Sequence, residues 1–208
     1  MGKPLRNLVL VRDVEGAFPL LARIDDFACV PVHHSRGDEF IAVEAFCAAN
    51  GFPTDWPRRM LERGALGWIM ITSGGEVAAT AWITRSPFYV EEIRRTFDPG
   101  PDGDYYFGDF TAPSFRGRRL HRHLIQQRLE ASRGAGRRWA TAMTLSTNGA
   151  SLSGYEALGF AVGSELRTRR RAGWQLDSIH SISAEQPASA FSSEGFLIPG
   201  VGRLRRAR

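Results

Sequence analysis

The chain has 208 residues, of which 43% are hydrophobic and 24% are charged, and its formal net charge at pH 7 is +5. A chain of this length buries one sizeable core, so we expect a single domain. Its apolar runs are far shorter than the roughly 20 residues that a membrane-spanning helix requires, so no membrane span is expected.

The two cysteines, Cys29 and Cys47, show neither the spacing of a metal site nor that of a redox motif. Free cysteines usually pack as small apolar side chains, so we expect core positions and not nucleophiles. A secretory leader is not expected, because Asp13 and Glu15 follow only a short apolar stretch. These features favour a reduced, cytoplasmic location.

Arginine supplies most of the positive charge. Its guanidinium group offers a planar pair of donors to phosphate, so an anionic partner is expected, either a phosphate-bearing small molecule or a nucleic-acid backbone. A solvated surface accounts for many of these arginines equally well. The arginine clusters lie at residues 116–122, 133–138, 167–171 and 203–208.

The first part of the chain contains weak strand signals followed by two helix signals. Residues 8–11 and Phe27–Val32 are typical of short strands. Asp38–Ala49 has apolar residues at helical spacing and is followed by an Asn-Gly pair that suits a helix end. A second helix is predicted to begin near Pro57 and to end at Gly64, because proline suits a first helical turn.

The pattern then changes from helical spacing to alternation. Leu66–Thr72 and Val77–Thr84 are apolar, β-branched runs separated by a Ser-Gly-Gly-Glu turn, which predicts an antiparallel hairpin. Residues 85–103 form a long connection, and a short helix is predicted within it over residues 90–97.

The remaining segments alternate between strand and helix signals. Strands are predicted at residues 105–111, 139–145, 160–167 and 174–182, and helices at residues 116–132 and 150–158. From residue 183 onward the composition is rich in Ser, Ala, Pro and Gly, which predicts a surface-draped or mobile tail. The order of elements indicates a mixed α/β domain with three layers.

Arginines surround the start of the helix predicted after the strand at residues 105–111. Arg116, Arg118, Arg119 and Arg122 lie there together with Gly117. A helix N-terminus presents free backbone N–H groups and the positive end of the helix dipole, so a diphosphate is a natural ligand at this point. The alternative is that these arginines only solvate the outer face of an amphipathic helix, and this segment alone leaves both open.

A second segment decides between the two interpretations. Asn148 opens a short helix, a small residue follows at Ser151, Tyr155 comes seven positions after Asn148, and Gly159 and Phe160 close the segment. This spacing resembles the signature of the GNAT acetyltransferase family. The resemblance covers residues 66–166 well.

The upstream segment at residues 113–118 supports the resemblance. Its Pro-Ser-Phe-Arg-Gly-Arg sequence is similar to the entry of the family's acyl-CoA pyrophosphate loop. One departure is that Arg119 and His121 stand where the family usually has small residues, which let backbone N–H groups approach a phosphate. The cofactor site is therefore expected to be altered but not abolished.

The resemblance implies a GNAT-type three-layer α/β fold with a central, mostly antiparallel mixed sheet flanked by helices. We expect one domain over residues 1–183, with a cofactor core at about 66–166, and a C-terminal tail at 184–208. The resemblance also implies acetyl-CoA as the acyl donor, direct transfer to a primary amine, and no metal. The implied cofactor-binding residues are Phe110, Thr111 and Ala112 for the pantetheine arm, Arg116, Gly117, Arg118, Arg119, Leu120 and His121 for the pyrophosphate, and Asn148 and Ser151.

Tyr155 matches the family tyrosine, so the resemblance implies that it is the general acid that protonates the departing thiolate. A packed aromatic residue is the alternative interpretation. The amine must also lose a proton, and Asp109 is the first candidate for that base, with Asp104 second. Either aspartate could instead pair with one of the many arginines.

Metal binding is not expected, because His33-His34 and His121 with His123 lack further ligands at suitable positions. The expected acceptor is a small-molecule or peptide amine. Phe88, Tyr89 and either Glu91 or Glu92 are candidates to meet an apolar cationic amine. Because larger residues replace glycine in the cofactor loop, a longer-chain N-acyltransferase stays open as an alternative function.

Two non-catalytic alternatives also stay open. One is an acyl-CoA-binding protein without turnover, against which the tyrosine at position 155 argues. The other is a nucleic-acid-binding protein that uses the arginine patches, although nucleic acid is not the favoured partner. A homodimer is a further option, because strands near the C-terminus of this fold can pair between subunits.

Overall fold

The computed structural model describes residues 5–32, 37–91, 93–171, 174–181, 196–198 and 202–206. The helices in these ranges are α1 (Asp38–Ala49), α2 (Trp56–Glu62), α3 (Leu120–Gly134) and α4 (Gly149–Ala157). The first six strands are β1 (Leu5–Asp13), β2 (Phe27–Val32), β3 (Leu66–Thr72), β4 (Val77–Thr84), β5 (Phe88–Val90) and β6 (Arg95–Phe97). The later strands are β7 (Gly103–Thr111), β8 (Trp139–Leu145), β9 (Ala161–Arg171), β10 (Trp174–Ser181), β11 (Phe196–Ile198) and β12 (Gly202–Arg206).

Ten of the described strands form one sheet in the order β11-β12-β10-β9-β1-β8-β7-β4-β3-β2, and β5 pairs with β6 in a separate hairpin. Within the described strands, β7 and β8 are the parallel pair and the other neighbours are antiparallel. The first strand therefore lies in the middle of the sheet, between two strands from the second half of the chain.

Helices cover both faces of this sheet. Alternation along β4 shows the two faces, because Trp82 packs in the cluster that contains α1 and α2 residues, whereas Ala81 and Ile83 pack against α3 residues. Every residue of β4 is buried, as expected of a strand covered on both faces. The mixed, mostly antiparallel sheet in a three-layer α/β arrangement confirms the predicted fold class.

Helix α3 is the element that closes the second face. Leu120, Leu124, Ile125 and Leu129 recur at helical spacing, and each is at most 1% exposed. These residues pack against the alanines of β4 and against Tyr106 of β7. The apolar stripe therefore orients α3 so that its N-terminus lies beside the ends of β7 and β8.

Most predicted elements are confirmed, including both strands of the central hairpin, but the helix predicted over residues 90–97 is wrong. That stretch contains β5 and β6, which pair from Phe88 opposite Phe97 to Val90 opposite Arg95. The two phenylalanines pack against Tyr105 of β7, so aromatic packing on the sheet outweighs the weak helical spacing.

Helix α3 also begins later than predicted, at Leu120 and not at Arg116. Gly117 has φ +80° and Arg119 has φ +61°, and neither value fits a right-handed helix. The segment before α3 is therefore a tight loop.

The C-terminal segment differs from the expected tail at two places. Residues 196–198 form β11 and residues 202–206 form β12, and β12 pairs with β10 so that the sheet extends beyond β10. The paired backbone groups satisfy the open edge of β10.

Candidate active site

A gap opens in the sheet where the parallel strands β7 and β8 separate. They pair from Gly103 opposite Trp139 to Tyr106 opposite Ala142, and no pair between them is described beyond this point. On their other edges, β7 remains paired with β4 and β8 remains paired with β1. Unpaired edges of two central strands therefore face each other across the gap.

Two cavities meet at this gap. The first, of about 570 Å³, lies at the N-terminus of α3, and we call it the helix-side cavity. The second, of about 440 Å³, lies toward α1 and α2, and we call it the aromatic cavity. The residues that line both cavities are Asp109, Phe110, Asn148 and Ser151. A molecule in one cavity would therefore meet a molecule in the other beside Asp109.

The helix-side cavity has the features of an anion site. The first backbone N–H groups of α3 have no partner within the helix, and the helix dipole adds positive potential there. Arg116, Arg119 and Arg122 line the same cavity. Arg116 is oriented by a hydrogen bond from its Nε to the carbonyl oxygen of Thr111, at 3.3 Å. The donors and charges suit a phosphate-bearing ligand.

The cavity gathers most of the cofactor-binding residues predicted from the sequence. Those that line it are Phe110, Thr111, Arg116, Gly117, Arg119, Leu120, His121, Asn148 and Ser151. The lining residues that were not predicted to bind cofactor are Asp109, Phe115, Arg122, Ala150 and Gly154. Of these unpredicted lining residues, Arg122 could have been found from the sequence, because it belongs to the arginine cluster at residues 116–122.

Two predicted residues do not line this cavity. The backbone N–H of Ala112 donates to the carbonyl oxygen of Ala78 at 2.9 Å, so it continues the pairing of β7 with β4. The Arg118 guanidinium lies over the rings of Phe27 and Phe115, 5.7 Å from each centroid. Stacking on two aromatic rings therefore points this arginine away from its neighbours in the loop.

Asn148 caps α4. Its Oδ1 accepts a hydrogen bond from the backbone N–H of Ser151 at 3.2 Å, which satisfies one free donor of the first helical turn. The backbone N–H of Asn148 in turn donates to the carbonyl oxygen of Leu145 at 2.9 Å. Asn148 therefore steadies the exit from β8 at the point where both cavities meet.

A β-bulge in β7 directs Asp109. Thr80 pairs with Phe110 and Trp82 pairs with Phe107, so β7 has one residue more than β4 between these pairs. Gly108 has φ +63° at the bulge. Strict alternation would place Asp109 on the same face as Phe107, but the extra residue turns its carboxylate to the opposite face, toward α3.

Asp109 lies in a network of three partners. Its Oδ1 is 2.6 Å from Nη2 of Arg128, its Oδ2 accepts a hydrogen bond from the hydroxyl of Tyr155, and Nε2 of His121 lies 3.5 Å from Oδ2. Burial raises the pKa of the Asp109 carboxyl, but the charges of Arg128 and His121 outweigh burial and lower it to about 2. The carboxylate is therefore ionised at neutral pH.

Arg128 is fully buried. Its guanidinium donates to the carbonyl oxygens of Trp82 and Leu124, at 3.3 and 3.2 Å, and it lies 4.6 Å from the centroid of the Tyr106 ring. Arg128 is not among the site residues predicted from the sequence. The available signal was its position four residues after Leu124, on the apolar face of α3 where a charge needs a buried partner.

Tyr155 is 1% exposed and lines neither cavity. Its ring packs edge-on against Phe160 and His121, with centroids 4.9 and 5.2 Å away. Burial is the main cause that raises the pKa of the Tyr155 hydroxyl well above its usual value. The phenol is therefore neutral at physiological pH, and Asp109 lies between it and both cavities.

Asp104, the second candidate for the base, lies outside both cavity linings. It has no exposed surface, accepts a hydrogen bond from Oγ of Ser132 at 2.7 Å, and pairs with Nε of Arg85 at 3.2 Å. Its partners correspond to the alternative interpretation, in which the aspartate pairs with arginine.

Aromatic side chains dominate the second cavity. The aromatic lining residues are Phe46, Phe52, Trp56, Phe88, Tyr89, Tyr105, Tyr106, Phe107 and Phe110. Its carboxylates are Glu91 and Asp109, and none of the described residues that line it is Lys, Arg or His. The predicted acceptor residues Phe88, Tyr89 and Glu91 therefore lie together, whereas Glu92, His33 and His34 lie outside the described residues.

The cysteine thiols are poor nucleophiles. Burial raises the pKa of Cys29 to about 12 and that of Cys47 to about 11, so neither is a thiolate at neutral pH. In the described part of the chain, no group of three or more His, Cys, Asp or Glu side chains is arranged to hold a metal ion. Over the same residues, no helix is long and apolar enough to cross a membrane.

Comparison with protein-family models and with curated proteins finds no match for this sequence. Solved structures do match. A putative GNAT acetyltransferase from Novosphingobium aromaticivorans is 18% identical over 79% of this chain and 63% of its own, with a TM-score of 0.53. The chain has the GNAT fold.

Two further structures with this fold extend the comparison. A GNAT-family acetyltransferase from Colwellia psychrerythraea is 16% identical over 77% of this chain and 53% of its own, with a TM-score of 0.55. A GCN5-related N-acetyltransferase from Sphaerobacter thermophilus is 12% identical over 79% of this chain and 50% of its own, with a TM-score of 0.58. This chain therefore spans about half to two-thirds of the length of these GNAT-fold structures.

Proposed function

We propose that the protein is an N-acetyltransferase that moves an acetyl group from acetyl-CoA to the primary amine of an apolar acceptor. The observation that carries the proposal is the meeting of two cavities beside Asp109, one with the features of an anion site and one lined by aromatic residues. Such an arrangement holds a phosphate-bearing donor and an apolar acceptor with their reactive ends together.

The donor fits the helix-side cavity. Its pyrophosphate would bind the N-terminal amides of α3 and the guanidinium groups of Arg116, Arg119 and Arg122. The pantetheine arm would follow the unpaired edge of β7 at Phe110 and Thr111, where backbone groups face the gap between β7 and β8. Arg119, in place of a small residue, adds a positive charge at the same cavity.

The acceptor fits the aromatic cavity. Its apolar body would pack among Phe88, Tyr89 and the neighbouring rings, and its amine would be attracted by the carboxylates of Glu91 and Asp109. A cationic ammonium group is stabilised by both carboxylates and aromatic faces. The absence of basic residues among the described lining residues favours a cationic acceptor over an anionic one.

The transfer is a direct one. The bound ammonium group first releases one proton to water in the open cavity. The neutral amine then attacks the thioester carbonyl, the new C–N bond forms as the C–S bond breaks, the amine nitrogen loses a second proton, and the thiolate gains one. Asp109 faces both reactants, so we assign it the proton that leaves the nitrogen. Tyr155 is the general acid in this scheme: its proton passes through the Asp109 carboxylate, to which its hydroxyl is bonded, to the thiolate. The proton that Asp109 takes from the nitrogen then returns to the tyrosine oxygen, so both side chains end as they began.

Calorimetric titration of acetyl-CoA into the full chain tests the donor site. Arg116→Ala removes a charge from the helix-side cavity, and Arg118→Ala removes the same charge from the neighbouring position that points away. We expect Arg116→Ala to weaken binding by roughly tenfold or more, because a charged hydrogen bond contributes about 1.5–3 kcal/mol. Arg118→Ala should change the affinity by much less.

Two outcomes would contradict this proposal. One is the failure of acetyl-CoA to bind while decanoyl-CoA binds, which would favour the longer-chain N-acyltransferase. The other is an equal effect of Arg116→Ala and Arg118→Ala together with a steep loss of affinity in salt, which would favour a diffuse polyanion site. Turnover is then measured as thiol release from acetyl-CoA with a panel of aromatic amines.

A further inference from the structure

We propose that Asn7 binds a neutral carbonyl oxygen of the acceptor, so that the preferred acceptor is an aromatic amine that also carries an amide. This inference rests on the proposed function, because it assigns the acceptor to the aromatic cavity. The residue belongs to β1, which lies outside the region where the sequence resembles the GNAT family.

The position of β1 in the sheet brings Asn7 to the cavity. Asn7 lies opposite Leu145 of β8 and opposite Leu166 of β9, so both neighbours are strands from the second half of the chain. Leu166 packs in the core cluster that contains α1 and α2 residues, and residues opposite each other in a sheet share a face. The Asn7 side chain therefore faces the α1 and α2 layer, and it lines the aromatic cavity.

The amide of Asn7 lacks a partner. Asn7 is only 3% exposed, and its Nδ2 has no hydrogen-bond partner among the described residues. Buried amide groups are nearly always satisfied in folded proteins, because leaving one unpaired destabilises the folded state. Because Asn7 lines the open cavity, rotation of its amide brings this donor to a ligand, which then supplies the missing acceptor atom.

The surroundings define that acceptor atom. An NH₂ group donates two hydrogen bonds, so its partner is an oxygen or another acceptor. None of the described lining residues is basic, and Glu91 is acidic, so a carboxylate would be repelled. A neutral amide carbonyl satisfies the donor without adding negative charge, and an aromatic body beside it fits the surrounding rings.

Thr168 provides a matched control. It is also 3% exposed, and its Oγ1 also lacks a partner among the described residues. Thr168 lies in β9 opposite Leu5 of β1, two positions along the strand pair from Asn7 and Leu166. Unlike Asn7, it lines neither cavity. Asn7→Leu and Thr168→Val each replace a buried polar side chain by an apolar one of similar shape.

The probes are phenylalaninamide and 2-phenylethylamine, which differ by one carboxamide. Their binding to the full chain is measured by calorimetry, and turnover is not required. We expect the unmodified protein and Thr168→Val to bind phenylalaninamide about fivefold to tenfold more tightly than 2-phenylethylamine, as one added hydrogen bond predicts. Asn7→Leu should bind both amines equally, and its Tm should equal or exceed that of the unmodified protein.

Three outcomes would overturn the inference. They are an unchanged preference for phenylalaninamide in Asn7→Leu, a lower Tm of Asn7→Leu that reveals a structural role for the amide, and the failure of both amines to bind. Each of these outcomes is independent of the donor site, because acetyl-CoA binding is measured in a separate titration without either amine. Loss of acetyl-CoA binding would instead contradict the proposed function.

Discussion

Arg128 and Asp109 form an ion pair between α3 and the bulge of β7, with Nη2 of the arginine 2.6 Å from Oδ1 of the aspartate. Arg128 has no exposed surface, and the side chain of Asp109 is 19% exposed. The pair therefore holds the carboxylate at the point where the two cavities meet, and it ties that position to the core of the domain.

Replacing Arg128 by Met should strongly destabilise the protein. Removing one partner of a buried ion pair leaves an uncompensated charge, which typically costs about 3–5 kcal/mol. Urea denaturation of the single variants and of Arg128→Met with Asp109→Asn measures the coupling. We expect the double variant to be less destabilised than the sum of the two single ones, and strict additivity would contradict the pairing.

Tyr155→Phe should separate catalysis from donor binding. The variant keeps the ring that packs against Phe160 but loses the hydroxyl that bonds Asp109. We expect kcat to fall by roughly 10²–10⁴-fold, the range typical of a lost general acid, while the Kd for acetyl-CoA stays unchanged. Steady-state kinetics and calorimetry on the same preparation check this, and an unchanged kcat would leave Tyr155 a packing residue.

Gly108→Ala should damage the bulge that orients Asp109. Gly108 has φ +63°, and an added Cβ would lie 2.8 Å from atoms of Trp56 and Trp82. Left-handed strain and overpacking together should cost about 2 kcal/mol or more. Gly149→Ala is the control, because its Cβ would meet nothing within 4 Å. Thermal unfolding should show a clear loss of Tm for the first variant alone.

Arg119→Gly should have opposite effects on stability and on donor binding. Arg119 has φ +61°, which costs a residue with a side chain roughly 1–2 kcal/mol and costs glycine little. We expect a higher Tm and weaker acetyl-CoA binding, because the loop relaxes but one positive charge leaves the cavity. Arg118→Gly, at a position without positive φ, should lower the Tm. A lower Tm for Arg119→Gly would contradict the inference that the positive φ of Arg119 strains the loop.

Glu165 should make stability depend on pH in the acid range. Hydrogen bonds from Arg6 and Arg167 are the main causes that lower its pKa from 4.5 to about 2. A carboxyl whose pKa is lower in the folded state stabilises that state above its unfolded pKa, and the contribution is lost as the pH falls from 4.5 toward 2. Glu165→Gln should therefore show a smaller loss of Tm between pH 5 and about pH 3 in thermal melts.

The local elements were accessible from the sequence because their signals are local. Alternation and a Gly-Gly turn predicted β3 and β4 with the observed bounds, and helical spacing with an Asn-Gly end predicted α1. The spacing from Asn148 to Phe160 and the arginines before α3 likewise indicated the GNAT fold and the helix-side cavity. Each of these signals lies within one short, continuous segment of the chain.

The tertiary structure decided what depends on residues far apart in the chain. Position 7 reaches the cavity because β1 pairs with strands more than 130 residues away, and no periodicity encodes such a pairing. Asp109 faces α3 because a bulge against β4 reverses its side, and Arg128 is identified as its partner by their contact. The sequence alone therefore determined most of the elements and the motif, whereas long-range strand pairing and burial determined which side chains meet at the site.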